Sequence, residues 1–474
     1  MLKLHNTLTK KIEDFTPIDE QNIRLYSCGP SVYFHAHIGN LSSYIFADTL
    51  RRALAISEHN VTLVMNYTDV DDKSIRNSLE TYPELEPREA LEKLTTHYTG
   101  LFLEDMKKIG NDIAAITFIR ATDHIEAMKQ LIKSLHEKGF AYIAHDGVYF
   151  SIEAYKKSGK TYGQLLEINT QNTSQARIAN DEYDKESAHD FALWKTQKEG
   201  EPAWEFELEG KNMLGRPGWH VECSAMSRAH LGQPFDIHTG GIDLIFPHHE
   251  NEIAQSTAGE ENPTMATVFV HNEHLLVDGK KMAKSANNFY TLDDIIKKGF
   301  SPLAFRLLVL QSHYRSQAHF SWKNLEAAQN RLKNWQAVAA LRWQAVDVPA
   351  DDYMDHIGEV DGDTHSPLFD DLNTPEALAT IDRRFSGFAR NLISKKNLDG
   401  FVEYLRTVDE ALGTNLEEVS DITENQKQVI AEREKARQSE DWPTSDKLRE
   451  DLKEQRIGVR DTDHGAAWYR IDVV

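Results

Sequence analysis

The chain has 474 residues, 40% of them hydrophobic and 27% charged, enough to bury several cores, and its length suggests about three domains. A net charge of -22, from 53 basic and 75 acidic side chains, weighs against a protein that coats nucleic acid indiscriminately, so an RNA partner needs a local basic face. No apolar run approaches the roughly 20 residues of a membrane span, and Met1 to Asn6 lacks the apolar core of a signal peptide, so no membrane partner and a cytoplasmic location are expected.

Residues 1–115 read as the first half of an α/β nucleotide-binding domain. Ile23 to Tyr26 is a short buried strand, Leu41 to about Ala55 carries apolar residues at helical spacing, and Asn60 to Met65 is the next strand, closing a βαβ unit. Between strand and helix lies Cys28-Gly29-Pro30-Ser31-Val32-Tyr33-Phe34-His35-Ala36-His37-Ile38-Gly39-Asn40, a tight turn at the carboxyl edge of a parallel sheet. Free backbone N–H groups and a helix dipole there suit a phosphate. Asn66 to Lys73 sits at the same edge.

Residues 116–218 read as an inserted subdomain: a helix around His124 to Lys138, a hairpin over Tyr142 to Phe150, a polar stretch from Asn169 to Ala188, and an ordered return at Asp190 to Lys195. Residues 219–290 resume the sheet, with strands expected near Trp219 to Cys223 and at Phe235 to His238, then a loop over Gly240 to Asp243. Pro247 opens a helix on which His248 and Glu252, four apart, share one face. Thr267 to His271 and His274 to Val277 read as strands, and Asp278-Gly279 as a turn into a basic loop, Lys280 to Ser285. Residues 291–347 are helical, beginning with a capping box of Thr291 and Asp294 and carrying the apolar stripe Leu325, Ala328, Leu332, Trp335 and Val338. In residues 348–423 a polar linker, Val348 to Ser366, precedes a helical segment from Thr374, and residues 424–474 hold a charged helix, Lys427 to Lys453, and strand-like pieces.

The only two cysteines are Cys28 and Cys223. A disulfide between them in a reducing cytosol is not expected. With His248 and Glu252 they make a candidate tetrahedral zinc set of two sulfurs, one nitrogen and one oxygen, although their spacing matches no short zinc-finger pattern. The alternative is two buried cysteines and two solvated helix residues. His37 is placed to bond a phosphate or ribose, or simply to cap its helix. Lys281 and Lys284, on a loop with Gly279, suit a triphosphate and its pyrophosphate leaving group, or are solvated.

These pieces together resemble a family. His37-Ile38-Gly39-Asn40 is similar to the HIGH signature, and Lys281-Met282-Ala283-Lys284-Ser285 to the KMSKS signature, of class I aminoacyl-tRNA synthetases. End to end the chain resembles the cysteinyl-tRNA synthetases, through Cys28-Gly29-Pro30, Thr68 to Lys73, Asp190 to Lys195, Gly215 to Met226 and Phe246 to Glu252. The resemblance implies an α/β fold: a Rossmann-type parallel-sheet catalytic domain with an inserted subdomain, a helical stem-contact region and anticodon-binding domain, and a small mixed C-terminal domain that reads the anticodon.

It also implies ATP-dependent ligation of L-cysteine to tRNA-Cys through a cysteinyl-adenylate. Zn2+ would be held by Cys28, Cys223, His248 and Glu252, one per chain, and would bind the substrate thiolate. Mg2+ would enter with ATP. His37, Asn40, Lys281 and Lys284 are the implied catalytic residues, with Gly39 beside them at the ATP, and Gly29, Thr68, Trp219 and Asp243 meet the amino acid. Arg437, Asp446 and Asp461 align with anticodon readers; without the resemblance they are exposed charges. Asn40 stands where the last His of HIGH is usual, Ala283 replaces the middle Ser of KMSKS, and Phe34-His35 replaces the usual Asp and aromatic residue before HIGH. Adenylation slowed at most, and not abolished, is expected, and a monomer. The alternatives are a cysteine ligase of the mycothiol pathway and an inert RNA-binding paralogue.

Overall fold

The computed structural model describes residues 2–57, 59–166, 190–282, 288–347, 361–390 and 392–471. The chain opens with the hairpin β1 (Lys3–Asn6) and β2 (Lys11–Asp14). It then builds a parallel sheet from β3 (Asn22–Ser27), helix α1 (Ile38–Ile56) and β4 (Asn60–Tyr67), followed by α2 (Asp72–Thr81), α3 (Pro87–Lys108) and β5 (Ile116–Arg120). Helix α4 (Ile125–Glu137) leads to β6 (Ala141–Ala144), β7 (Gly147–Phe150), α5 (Ile152–Lys157), β8 (Phe191–Thr196), β9 (Trp204–Leu208) and β10 (Lys211–Pro217). Those five strands form a separate antiparallel sheet in the order β6-β7-β8-β10-β9.

The chain returns through α6 (Trp219–Leu231), β11 (Phe235–Gly241), α7 (Glu250–Thr257) and β12 (Ala266–Asn272), completing a parallel sheet of order β12-β11-β3-β4-β5. From β3 the sheet grows one way through β4 and the other way through β11, so the carboxyl ends of β3 and β11 face a crevice at the switch point, where α/β sheets bind ligands. Next come β13 (Leu275–Val277), α8 (Leu292–Lys297), α9 (Pro302–Leu310), β14 (Ala318–Phe320) and α10 (Trp322–Ala339). The helical region continues with α11 (Asp361–Phe369), α12 (Thr374–Phe388) and α13 (Leu398–Leu412). Helices α14 (Glu424–Gln438) and α15 (Trp442–Glu454) and the hairpin β15 (Ile457–Thr462) and β16 (Gly465–Arg470) end the chain.

One apolar core joins one face of the parallel sheet to the helical region, a second joins the other face to the inserted sheet, and a third lies under the C-terminal hairpin. All five residues of the expected stripe on α10 are buried, and Thr291 and Asp294 form the expected capping box.

Four expectations need correction. Trp219 to Cys223 begins helix α6 and is not a strand: His220 to Ser227 are all buried, so the helix shows no polar face for a period to reveal. Ile116–Arg120, expected within the insertion, is the outer strand of the parallel sheet. The expected linker ends early, because α11 starts at Asp361 and buries Leu368 completely; 348–360 lies outside the described residues. The single helix expected over Lys427 to Lys453 is two: Asp441 caps α15 by accepting from Thr444 N at 3.2 Å, with Pro443 in the first turn. The polar stretch Asn169 to Ala188 lies outside the described residues.

Candidate active site and metal centre

Cys28 leaves the end of β3, and its N–H donates to Thr239 O of β11 at 3.1 Å, which pins it in the crevice. Gly29 follows against the backbone of β4, where an added Cβ would overlap the Asn66 carbonyl. Cys223 comes from α6, and His248 and Glu252 come from the segment leading into and along α7.

The four donors converge within 4.8 Å of one another, all buried. The two sulfurs are 3.9 Å apart, Cys28 Sγ is 3.9 Å from Glu252 Oε1, and His248 Nε2 is 2.7 Å from that same oxygen. Two zinc–sulfur bonds of about 2.3 Å at a tetrahedral angle span about 3.8 Å. The donor types and the sulfur–sulfur spacing therefore fit zinc. A hydrogen bond from Cys28 brings the Cys223 thiol down to about 6 against its burial. Burial would raise Glu252, but His238 and His248 outweigh it and hold its carboxyl well below the usual range. Against its burial, His248 is raised to about 10 by Glu252 and is the positive partner of these groups here, and burial pushes the Cys28 thiol up.

Histidines outside the expected set surround these donors. Glu252 Oε2 meets His238 Nε2 at 2.5 Å, and the His238 ring stacks on His249 at 4.2 Å. His249 Nε2 lies 3.4 Å from Cys28 Sγ, and its Nδ1 meets His271 Nε2 at 2.8 Å. His248 Nδ1 meets His220 Nδ1 at 2.9 Å. Cys28, His238, His249 and Glu252 also lie close enough to form a second donor set. The bond to Glu252 and the ring stacking instead make His238 and His249 outer partners that hold the donors in place. His249 stood in the block Phe246 to Glu252; nothing in the sequence marked His238.

The residues expected to meet the amino acid line the same crevice. Trp219, 40% exposed, stacks on His248 with ring centres 4.1 Å apart. Thr68 is buried, and its hydroxyl donates to Glu222 Oε2 at 2.8 Å. Asp243 is exposed on the turn after β11. The family-like blocks also meet one another: Asp72 pairs with Arg216 and with Lys195, the latter at 3.3 Å.

At the start of α1, His37 and Asn40 cap each other. Asn40 N–H donates to His37 Nδ1 at 3.1 Å, and His37 N–H donates to Asn40 Oδ1 at 3.3 Å. Nδ1 therefore accepts, which puts the proton of the neutral ring on Nε2. Burial pushes His37 down to about 4, so the ring is neutral at pH 7. The capping reading of His37 holds, with one ring nitrogen on the helix start and the other left as an N–H donor.

The basic loop begins beside it. A Cβ on Gly39 would overlap the end of the Met282 side chain, and Ile38 N–H donates to Tyr290 O at 2.9 Å. Lys281 is exposed, and Lys284 lies outside the described residues.

In the C-terminal unit Asp461 is bound by both terminal nitrogens of the buried Arg433, at 2.8 and 3.2 Å, and by Arg437 at 3.2 Å. Arg437 also lies over the exposed Trp442 ring at 5.6 Å. Asp446 is exposed on α15. Arg433 was not expected; a fully buried arginine on a helix of charged residues carries no sequence signal.

A parallel sheet with its crevice at the switch point, opened by a His-Ile-Gly-Asn helix start, is the frame of a class I aminoacyl-tRNA synthetase. Residues 14–330 match the family described as tRNA synthetases class I (C) catalytic domain. The fold is shared with Mycobacterium tuberculosis methionyl-tRNA synthetase in complex with methionyl-adenylate, at TM-score 0.59 and 13% identity, covering 84% of this chain and 93% of that one. Residues 419–468 match the Cysteinyl-tRNA ligase anticodon binding domain. Relatives include the cysteine–tRNA ligase of Leptospira interrogans serovar copenhageni, 38% identical over 480 residues, 98% of this chain and 99% of the relative. That of Thermococcus onnurineus is 37% identical over 496 residues, covering both chains completely. The chain belongs to the cysteine–tRNA ligase family of class I aminoacyl-tRNA synthetases, and is an enzyme of that family. No described helix is long and apolar enough to cross a membrane.

Proposed function

We propose that the enzyme charges tRNA-Cys with L-cysteine in two steps, in the cytoplasm and as a monomer. In the first, the cysteine carboxylate attacks the α-phosphorus of Mg2+-bound ATP; a P–O bond forms, pyrophosphate leaves, and cysteinyl-adenylate results. In the second, a terminal ribose hydroxyl of the tRNA attacks the adenylate carbonyl and AMP leaves. No side-chain nucleophile takes part, so rate enhancement comes from positioning and charge stabilisation.

Cys28, Cys223, His248 and Glu252 would hold zinc, which when bound supplies a soft site for the substrate thiol. Serine, whose hydroxyl binds such a site poorly, is rejected without editing. Gly29 meets the amino acid beside Cys28, Trp219 walls the pocket over His248, and Thr68 and Asp243 meet the amino acid's polar end. His37 donates from Nε2 to the phosphates and Asn40 holds that ring in register, with Gly39 between them beside the ATP. Lys281 and Lys284 neutralise charge on the departing pyrophosphate. Residues 1–120 and 219–290 act as the catalytic domain, 121–218 as an insertion, 291–347 as a stem contact, and 348–423 and 424–474 as anticodon-side domains, with Arg437, Asp446 and Asp461 facing the anticodon.

The observation that carries this reading is the meeting of Cys28, on the signature turn, with Cys223, His248 and Glu252 in one buried donor set. The test is exchange of labelled pyrophosphate into ATP with cysteine, serine as control, on wild type and Cys223→Ser, with bound zinc counted in each. One zinc per wild-type chain and exchange with cysteine alone, both lost in the variant, are expected. Zinc without exchange would instead favour an inert RNA-binding protein, and exchange without tRNA charging a ligase for another acceptor.

A further inference from the structure

Phe34 and His35, which stand where an aspartate and an aromatic residue are usual, have no task in the two steps described above. Both are exposed on the turn between β3 and α1, Phe34 at 37%. They belong to a larger aromatic surface. The Phe34 ring centre lies 6.1 Å from that of Tyr98 on α3 and 6.2 Å from that of Phe289, and the His35 ring stands edge-on to Tyr98 at 5.5 Å. Phe289 in turn stands edge-on to His37 at 5.2 Å. Rings therefore run without a break from the outside of the turn to the His37 ring. Tyr98 and Phe289 brace Phe34 and still leave part of it open to solvent.

Cations flank the same turn. Lys73 Nζ lies 5.4 Å over the ring of Tyr33, the residue before Phe34, and Arg76, exposed three residues further along α2, shares its helix face. In a chain of net charge -22, exposed rings beside a basic rim are the kind of local face that RNA needs. Single-stranded ends are held by this combination, bases stacking on aromatic rings while cations meet the backbone. The second step brings such an end here. Its terminal ribose must reach the adenylate beside His37, so the base on that ribose lies within one nucleotide of the His37 ring.

We propose that Phe34, braced by Tyr98 and Phe289, is the platform on which the terminal base of the tRNA stacks while its ribose attacks. This rests on the charging reading above.

Two variants of the zinc-loaded, full-length protein isolate the ring: Phe34→Leu keeps apolar bulk against Tyr98 and Phe289, and Phe34→Tyr keeps the ring itself. The probe is a tRNA-Cys transcript with 2-aminopurine as its terminal base, whose emission falls on stacking. Wild type and Phe34→Tyr should quench that emission and charge the tRNA alike. Phe34→Leu should leave it unquenched and lower kcat/KM for charging about 5- to 100-fold, the scale of one stacked base. Cysteine-dependent pyrophosphate exchange should stay within about twofold in all three. Full quenching by Phe34→Leu, or charging at the wild-type rate, would overturn the assignment. So would a fall of exchange in step with charging, which would put the ring to work on ATP or on His37 instead. If wild type exchanges but charges no tRNA, the charging reading itself falls, and this one with it.

Discussion

At Gly29 the physics is a single missing atom. A Cβ there would overlap the Asn66 carbonyl, which is main chain and cannot swing aside, so any larger residue must displace the turn that carries Cys28. Gly29→Ala is predicted to lower stability by about 1–3 kcal/mol, the usual cost of overpacking, and to leave less than one zinc per chain. Denaturant unfolding together with metal analysis checks it; full zinc occupancy at wild-type stability would contradict it. Of this neighbourhood, the side-chain pair His248 and Glu252 was legible because a separation of four on a helix puts both on one face. Their outer partners were not, since His238 reaches Glu252 from a different element, the strand β11.

Helix α1 shows how one element serves two ends. Its first turn is held by the mutual cap of His37 and Asn40, so an asparagine at the signature's last position does structural work while aiming the His37 ring. The start of the basic loop packs on the same turn through Met282. Gly39→Ala meets the flexible end of that side chain and lies 3.0 Å from the capping His37 ring, so stability should fall by about 1 kcal/mol. The turnover of pyrophosphate exchange should also fall about 10- to 100-fold, the scale of a small misplacement at a reacting centre. Unchanged turnover would separate the loop from the phosphates. Helix α6 makes the complementary point: taken as a strand, Trp219 and Cys223 would lie on one face with the wrong rise, whereas as a helix they are one turn apart, one against His248 and the other among the donors.

Across the molecule, the middle of α1 is tied to the helical region by a buried charge network. Asp48, fully buried, meets Arg306 at 2.6 Å and Arg52 at 2.6 Å. Arg306 continues to Asn111 at 2.7 Å and to Leu412 O at the end of α13, and Arg52 reaches Asp409 O at 2.9 Å. Burial would raise Asp48, but Arg306, then Arg52 and Arg51, lower it from 3.8 to about 2. A depressed folded-state value adds stability that is present above about pH 4 and is lost as pH falls through about 2, worth about 2 kcal/mol. Asp48→Asn should lose that acid dependence and cost about 3–5 kcal/mol at neutral pH by stranding buried arginines, read from unfolding curves at several pH values; a loss under 1 kcal/mol would refute the network's role.

At the far end, Arg437→Ala should lower kcat/KM for tRNA charging about 10-fold, of the order of one charged contact, while cysteine-dependent exchange stays unchanged. A parallel loss of exchange would mean that the residue supports the whole fold.

Local order carried much of this protein: the parallel βαβ start, the caps at Thr291, the stripe on α10, and the signature blocks whose residue types match their chemistry. These follow from propensity, period and turn geometry, which act over a few residues. What spans the chain was decided by tertiary structure. Cys28 and Cys223 are 195 residues apart, and only the sheet's switch point and the burial of His220 to Ser227 on α6 bring them within 3.9 Å. Burial in three dimensions hides the helical period of α6, isolates Glu222 and Arg433, and assembles the histidines behind the donors, because those properties belong to packing between elements distant in sequence.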